Sequence, residues 1–392
     1  MPQSKGINAT TEIAQKPKPR TAKKRSVGWH GDLAAWWHRF SQPSALAFAT
    51  FGLSLVATLA LCLWFFSEAT IGGWYGRYLP RSSIDDDGFA TREALRAARD
   101  VSSHPILIVL GSSTVAQAVG SGQELEREIL VQTGQTWQVV VLTTAGQGPA
   151  EQFALIDRAL ENQGPDSPPV LVAVGFGPQR MRWTPERTLE FAALRRIGLR
   201  SEWEDDEVRL LGGAPLVQTG FYPWDNRNFL LINGSRALVR LVLRQPAIRK
   251  VDYFARGHQG PETQEVRDTR GARIRDSFPD RERYYTQISR LAAKVATRPN
   301  TSLVFLEETI SPDMIKDQSL AAIYDQMRRE LAEMAQLQPF RFWPVTTEAR
   351  LTIAHYHDDL HLHPGEAQDI LRTIIARHMN VDLTAKGTAD GQ

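Results

Sequence analysis

Two short stretches near opposite ends of the chain carry residue types that could do acyl-transfer chemistry. The first is Leu110-Gly111-Ser112-Ser113, which closes the apolar run ILIVLG at 106–111. A serine just past a buried strand lies at the carboxyl edge of a sheet, where open α/β folds place their ligands. A helix starting there offers free N–H groups and positive potential, which can stabilise an oxyanion. An ordinary helix-capping serine makes the same pattern. The second stretch is His355-Tyr356-His357-Asp358-Asp359-Leu360-His361-Leu362-His363-Pro364. Asp358 and His361 are three apart, so one turn of backbone can bring their side chains together. The carboxylate could then fix the imidazole tautomer, and the imidazole could take the serine proton.

The same histidines admit a metal reading. His355 and His357 would share one face of an extended segment, as would His361 and His363. Four such imidazoles could bind zinc, copper or nickel. No cysteine assists them and few carboxylates surround them, so His355, His357 and His363 are read as surface histidines or supports of their neighbours. No cofactor is expected.

The elements that must position these residues follow from periodicity. Short, apolar runs of the buried-strand kind occur at 106–111, 136–144, 169–177 and 301–309, with a weaker one at 341–345. Helical patterns lie between them, at about 113–133, 149–162 and 318–336, and 364–379 closes the series. Apolar strands alternating with helices imply a parallel sheet covered on both faces. The pattern lapses between about 180 and 290, a region rich in Arg and Trp. This region is read as an insertion between the third and fourth strands. Within it, WDNRNFLLINGSRALVRLVLR at 224–244 is expected to be a helix with a basic edge. The insertion could simply cap the sheet, or line a groove with arginines suited to an anionic glycan.

Upstream, ALAFATFGLSLVATLALCLWFF at 45–66 contains no charged side chain. About 20 such residues in a helix span a hydrocarbon core of roughly 30 Å. Trp36 and Trp37 precede the run, and Trp64, Phe65, Phe66, Trp74, Tyr75 and Tyr78 close or follow it, which suits the two membrane interfaces. Lys16, Lys18, Arg20, Lys23, Lys24, Arg25 and Arg39 lie before the run, whereas Asp85, Asp86 and Asp87 lie beyond it. The positive-inside rule places the N-terminus in the cytoplasm and everything after Phe66 outside. A cleaved signal peptide is the rival reading, although leader and apolar run both exceed the usual lengths. Expected boundaries are a basic disordered tail at 1–43, a transmembrane helix at 44–66, a stalk at 67–104 with a helical patch at 90–100, an α/β domain at 105–380 and a flexible tail at 381–392. The net charge of +2 gives no global field for nucleic acid, and the single cysteine, Cys62, excludes an intramolecular disulfide.

Taken together, these blocks resemble the SGNH (GDSL-like) hydrolase superfamily. That family carries its nucleophile in a Gly-Asp-Ser motif after the first strand, and its Asp and His in a late D-x-x-H motif that often continues H-L-x-P. Gly111-Ser112-Ser113 matches the first, with Ser113 as nucleophile and Ser112 in place of the Asp. Asp358 to Pro364 matches the second. Gly146, in Ala145-Gly146-Gln147-Gly148-Pro149, sits where the family keeps an oxyanion-hole glycine. Gly177-Pro178-Gln179 sits where the family has Gly-x-Asn, with Gln179 one methylene longer than the usual Asn.

The resemblance implies an α/β fold with a flavodoxin-like parallel sheet and helices on both faces. It implies a Ser113-His361-Asp358 triad, with Ser113, Gly146 and Gln179 holding the oxyanion. The anchored, outward-facing arrangement is similar to that of accessory proteins of cell-envelope acylation, such as those of alginate O-acetylation and the DltD proteins of teichoic acid D-alanylation. These work beside a multipass membrane acyltransferase. The activity implied is a serine esterase or O-acyltransferase, with acetyl the expected acyl group and an envelope or exported polysaccharide as substrate, outside the cytoplasm, which is the periplasm if the cell is Gram-negative. The alternatives are a non-catalytic accessory protein of such a complex, or a His-rich metal-binding protein.

Overall fold

The computed structural model describes residues 35–38, 44–65, 67–71, 86–99, 102–181, 183–234 and 263–389. The basic leader, the aromatic residues Trp74, Tyr75 and Tyr78, and the second half of the 224–244 stretch lie outside the described residues. Two units separate, one ending at Leu61 and the other running from Cys62 to the C-terminus.

Helix α1, Ala45–Phe65, is continuous. From Ala45 to Trp64 it is long and apolar enough to cross a membrane, and none of it is buried by protein. A core helix of a globular domain would be covered, so α1 is not one.

The second unit is built on five parallel strands: β1 (Ile106–Leu110), β2 (Gln138–Val141), β3 (Val170–Phe176), β4 (Thr301–Glu307) and β5 (Arg341–Trp343). Their order across the sheet is β2-β1-β3-β4-β5, the flavodoxin-like arrangement with a switch point between β1 and β3. Successive side chains of a strand point to opposite faces, and both faces are covered here, which is why the runs are apolar without alternation. Ile106, Ile108, Leu110, Val172, Val174 and Phe305 enter one core. Leu107, Val109, Val139, Val141, Ala173 and Val304 enter the other.

The helices that cover the sheet are α2 (Asp86–Arg99), α3 (Ser113–Val119), α4 (Gly122–Thr133), α5 (Pro149–Ala159), α6 (Pro185–Leu194), α7 (Glu202–Leu210), α8 (Gln264–Ser277), α9 (Glu282–Ala296), α10 (Gln318–Leu337) and α11 (Glu366–Ala389). Helices α2, α5, α9 and α10 supply the first core, and α3, α4 and α11 the second.

Four expectations change. The stretch at 113–133 is two helices, because Gly120 takes φ +66° at the end of α3 and α4 starts afresh after Ser121. The stalk at 67–104 is not a spacer over its described helical part. Ala90, Ala94 and Leu95 of α2 are buried in the first core, because their spacing puts them on one helix face. The expected tail from 381 is helical through Ala389, since no proline interrupts α11. The described part of the 224–244 stretch forms short turns of helix, Tyr222–Asp225, Arg227–Phe229 and Leu230–Gly234, rather than one helix. Its Phe229 is fully buried, so this part of the insertion belongs to the domain core.

Candidate active site

Ser113 is the first residue of α3, at the carboxyl end of β1. Ser112 caps the helix, its Oγ accepting from the Thr114 N–H at 3.3 Å. Gly111 takes φ +147°, and a Cβ there would stand 2.8 Å from Cβ of Val115. A glycine is therefore needed for the chain to turn from strand to helix so tightly. Gly175 on β3 meets the same side chain from the neighbouring strand. A Cβ on it would overlap Cγ2 of Val115 and come within 3.1 Å of Glu308 Oε1.

The late histidine segment reaches this edge by folding back on itself. Tyr356 and Leu362 form an antiparallel bridge. The His357 N–H donates to the His361 carbonyl at 3.0 Å, and the His363 N–H to the His355 carbonyl at 2.9 Å. The tip is fastened to the end of β4: Ser311 N–H donates to the Asp359 carbonyl at 2.8 Å, and Thr309 Oγ1 to the Leu360 carbonyl at 2.7 Å. Asp359 is buried against the insertion, with Arg267 Nε at 3.0 Å and an Arg270 terminal nitrogen at 3.4 Å.

This places Ser113 Oγ 2.8 Å from His361 Nε2, and His361 Nδ1 2.6 Å from Asp358 Oδ2. The other Asp358 oxygen accepts from the backbone N–H groups of Leu360 and His361, each at 2.8 Å. Burial pushes the Asp358 carboxyl up, but its hydrogen bond to His361, its electrostatic attraction to that ring and these two N–H groups outweigh it. The carboxyl is held well below the ordinary range. An ionised carboxylate on Nδ1 selects the tautomer that leaves Nε2 free to accept a proton. Serine, imidazole and carboxylate in this order can carry out nucleophilic acyl transfer.

The expected oxyanion residues lie at the same sheet edge. Thr144 N–H donates to the Gly111 carbonyl at 3.1 Å, which ties the loop of Gly146 to the Ser112-Ser113 turn. Gly146 has φ +61°, and nothing lies within 4 Å of the position a Cβ would take. Glycine here serves the backbone conformation and leaves the neighbouring space open. Gln179 sits in a helical turn after β3. Its Nε2 donates to Glu308 Oε2 at 2.7 Å, and its Oε1 accepts from Tyr324 at 3.0 Å. One N–H of the amide is thereby committed to Glu308.

Glu308, Arg180 and Tyr324 are not among the residues expected from sequence. Glu308 Oε1 takes Arg180 Nε at 2.8 Å and a terminal nitrogen at 2.6 Å, and Ser112 Oγ donates to it at 3.3 Å. Arg180 also donates to the Gln147 carbonyl. The only sequence signal for this cluster is a carboxylate pair, Glu307-Glu308, at the end of an apolar strand.

The four histidines do not form one set. His355 Nδ1 accepts from the Thr352 N–H at 2.9 Å. His357 stacks on His361 with centroids 5.7 Å apart and planes 12° from parallel. Its ring centroid lies 5.8 Å from that of His363. His357, Asp358 and His361 each offer a ligand atom, all within 4.8 Å of one another. In this conformation, however, both His361 nitrogens are already engaged by Ser113 and Asp358. Comparison with protein-family models and with curated proteins finds no match for this chain.

Proposed function

We propose that this chain is a membrane-anchored, outward-facing serine esterase or O-acyltransferase of the SGNH type, acting on an acylated envelope or exported polysaccharide. The observation that carries the reading is the continuous hydrogen-bonded series from Ser113 through His361 to Asp358. Ser113 Oγ attacks the acyl carbonyl carbon while His361 Nε2 takes its proton. Asp358 holds the imidazolium that forms. The backbone N–H groups of Ser113 and Gly146 and the remaining amide N–H of Gln179 are assigned to the oxyanion. Collapse expels the alcohol, which takes the proton from His361 and leaves an acyl-Ser113 ester. Water then releases the acid, or a sugar hydroxyl accepts the acyl group.

Helix α1 is read as the anchor, with the basic leader in the cytoplasm and the α/β domain outside. A multipass membrane acyltransferase is the partner this arrangement suits. One observation favours a second reading, a non-catalytic accessory protein: the Gln179 amide is already tied to Glu308.

The test uses the full chain in detergent, treated with a fluorophosphonate and assayed on p-nitrophenyl acetate, beside Ser113→Ala and His361→Ala. Labelling at Ser113 and loss of hydrolysis in both variants are expected. A wild-type chain that is neither labelled nor active sinks the esterase reading and leaves the accessory one. Activity that survives Ser113→Ala but is lost in His361→Ala and falls with a chelator favours metal chemistry at His357, Asp358 and His361.

A further inference from the structure

Among the described residues, a largely apolar cavity that also holds buried charged side chains lies in the insertion, between α6 and α7 and the chain that follows α7. It has a volume of about 220 Å³, and Leu189, Arg195, Glu204, Asp205, Val208 and Leu216 are in its wall. Arg195 is the residue at which α6 ends, in a left-handed conformation with φ +47°. This conformation is uncommon for a residue other than glycine. It turns the long side chain back into the protein, where Arg195 is only 6% exposed.

The guanidinium is held by no ion pair there, and Glu204 acts on it only at longer range. Its NH1 is buried and makes no hydrogen bond, and no carboxylate of the described residues stands within ion-pair distance. Glu204 is 5% exposed, and its Oε2 also makes no hydrogen bond. The third charged residue, Asp205, is already neutralised, its Oδ2 taking Arg200 Nε at 2.9 Å and a terminal nitrogen at 2.6 Å. Buried polar atoms are nearly always partnered, and an unpaired buried charge is among the costliest groups a fold can carry. Burial pushes the Glu204 carboxyl up to about 8, with Arg195 opposing and Asp205 and Glu151 reinforcing the shift. A protonated Glu204 would leave Arg195 as the net charge of the cavity and give it an O–H donor.

We infer that this cavity is a binding site, separate from Ser113 and His361, for a small organic monocarboxylate held by Arg195 and Glu204. The carboxylate group satisfies the guanidinium by charge-assisted hydrogen bonds. The short apolar body lies against Leu189, Val208 and Leu216. The volume admits about seven heavy atoms, at about 30 Å³ for each water displaced. An inorganic anion would meet the charge but waste the apolar wall.

The probe is pentanoate, titrated calorimetrically into the full chain in detergent, with pentylamine and sulfate as controls. One saturable pentanoate site per chain is expected, with no binding of pentylamine and weaker binding of sulfate. Arg195→Met should weaken pentanoate tenfold or more and raise the unfolding temperature of the unliganded chain, because an unpaired buried charge is removed. Leu216→Trp, at the exposed rim, should block the cavity while leaving the charges in place. Ser113→Ala should bind pentanoate as the wild type does, which separates this site from the proposed catalytic one. Absence of saturable binding to the wild type overturns the inference. So does unchanged affinity in Arg195→Met or in Leu216→Trp, a lower unfolding temperature in unliganded Arg195→Met, equal affinity for sulfate, or loss of binding in Ser113→Ala.

Discussion

Glu308 and Gln179 are joined by a 2.7 Å hydrogen bond from the amide Nε2 to the carboxylate. The same buried carboxylate receives Arg180 and Ser112. One anion thus ties together the turn carrying Ser113, the loop after β3 and the end of β4. Replacing Glu308 with Leu leaves Arg180 buried without its counter-ion. A loss of about 3–5 kcal/mol is expected, read from the midpoint of denaturant unfolding. Glu308→Gln keeps an acceptor for Gln179 and should cost less. An unchanged midpoint in Glu308→Leu would show that the pair is not structural.

Gly175 and Gly111 both make room for Val115. Gly175→Ala is therefore expected to push α3 away from β3, costing about 1–3 kcal/mol by overpacking. Ester hydrolysis should fall with it, because α3 carries Ser113. Adding Val115→Ala removes the overlapping methyl groups and should recover much of both losses. A double-mutant cycle on stability and on kcat measures that coupling. Strict additivity would mean that Gly175 acts through something other than Val115.

The Asp358 carboxyl is held below its ordinary value of 3.8. A group depressed in the folded state adds stability that is present above its unfolded value and lost as pH falls through the folded one. Asp358→Asn should therefore be less stable than the wild type at neutral pH, and the difference should shrink in strong acid. It should also cut kcat on p-nitrophenyl acetate by about 10⁴-fold, as expected when the imidazole tautomer is no longer enforced. Unfolding midpoints measured across pH, with kcat at neutral pH, check both parts.

Glu204 shows the opposite sign. Its carboxyl rises from an ordinary 4.5 to about 8, chiefly by burial. Its contribution to stability is full below the unfolded value and is lost as pH rises through the folded one. Across that window stability should decline by up to about 1.4 kcal/mol per pH unit from this group alone. Glu204→Gln should flatten the decline. A wild-type profile that already lacks the slope would mean that Glu204 ionises normally. Glu151, raised to about 7 mainly by burial, adds to the lower part of the same window.

Helix α1 is uncovered and apolar from Ala45 to Trp64. The full chain is expected to stay with membranes through an alkaline carbonate wash and to leave them in detergent. Removing residues 1–66 should abolish that retention. A chain released by carbonate alone would not be anchored by this helix.

The strands, their approximate limits and the parallel α/β class were legible in the chain itself. Runs such as ILIVLG at 106–111 and PVLVAVGFG at 169–177 have few other uses, because only a strand buried on both faces tolerates side chains that are all apolar. Asp358 and His361 were equally legible, since their contact spans three residues and depends on local geometry. The reach of α2 into the core was not. Its alanines gain stability from neighbours in α5 and β2, and those are remote in sequence.

The rest of the site belongs to tertiary structure. Ser113 and His361 are 248 residues apart, and their approach depends on the return of the 355–363 segment to the end of β4. Glu308 meets Arg180 across 128 residues, and in sequence it is only one of two adjacent glutamates. Arg195 is one of many arginines of the insertion in sequence, and only its left-handed backbone and the packing of α7 make it a buried one. Periodicity reports which side of an element faces the core. Which buried charge finds a partner, and which is left without one, depends on where the chain places distant residues.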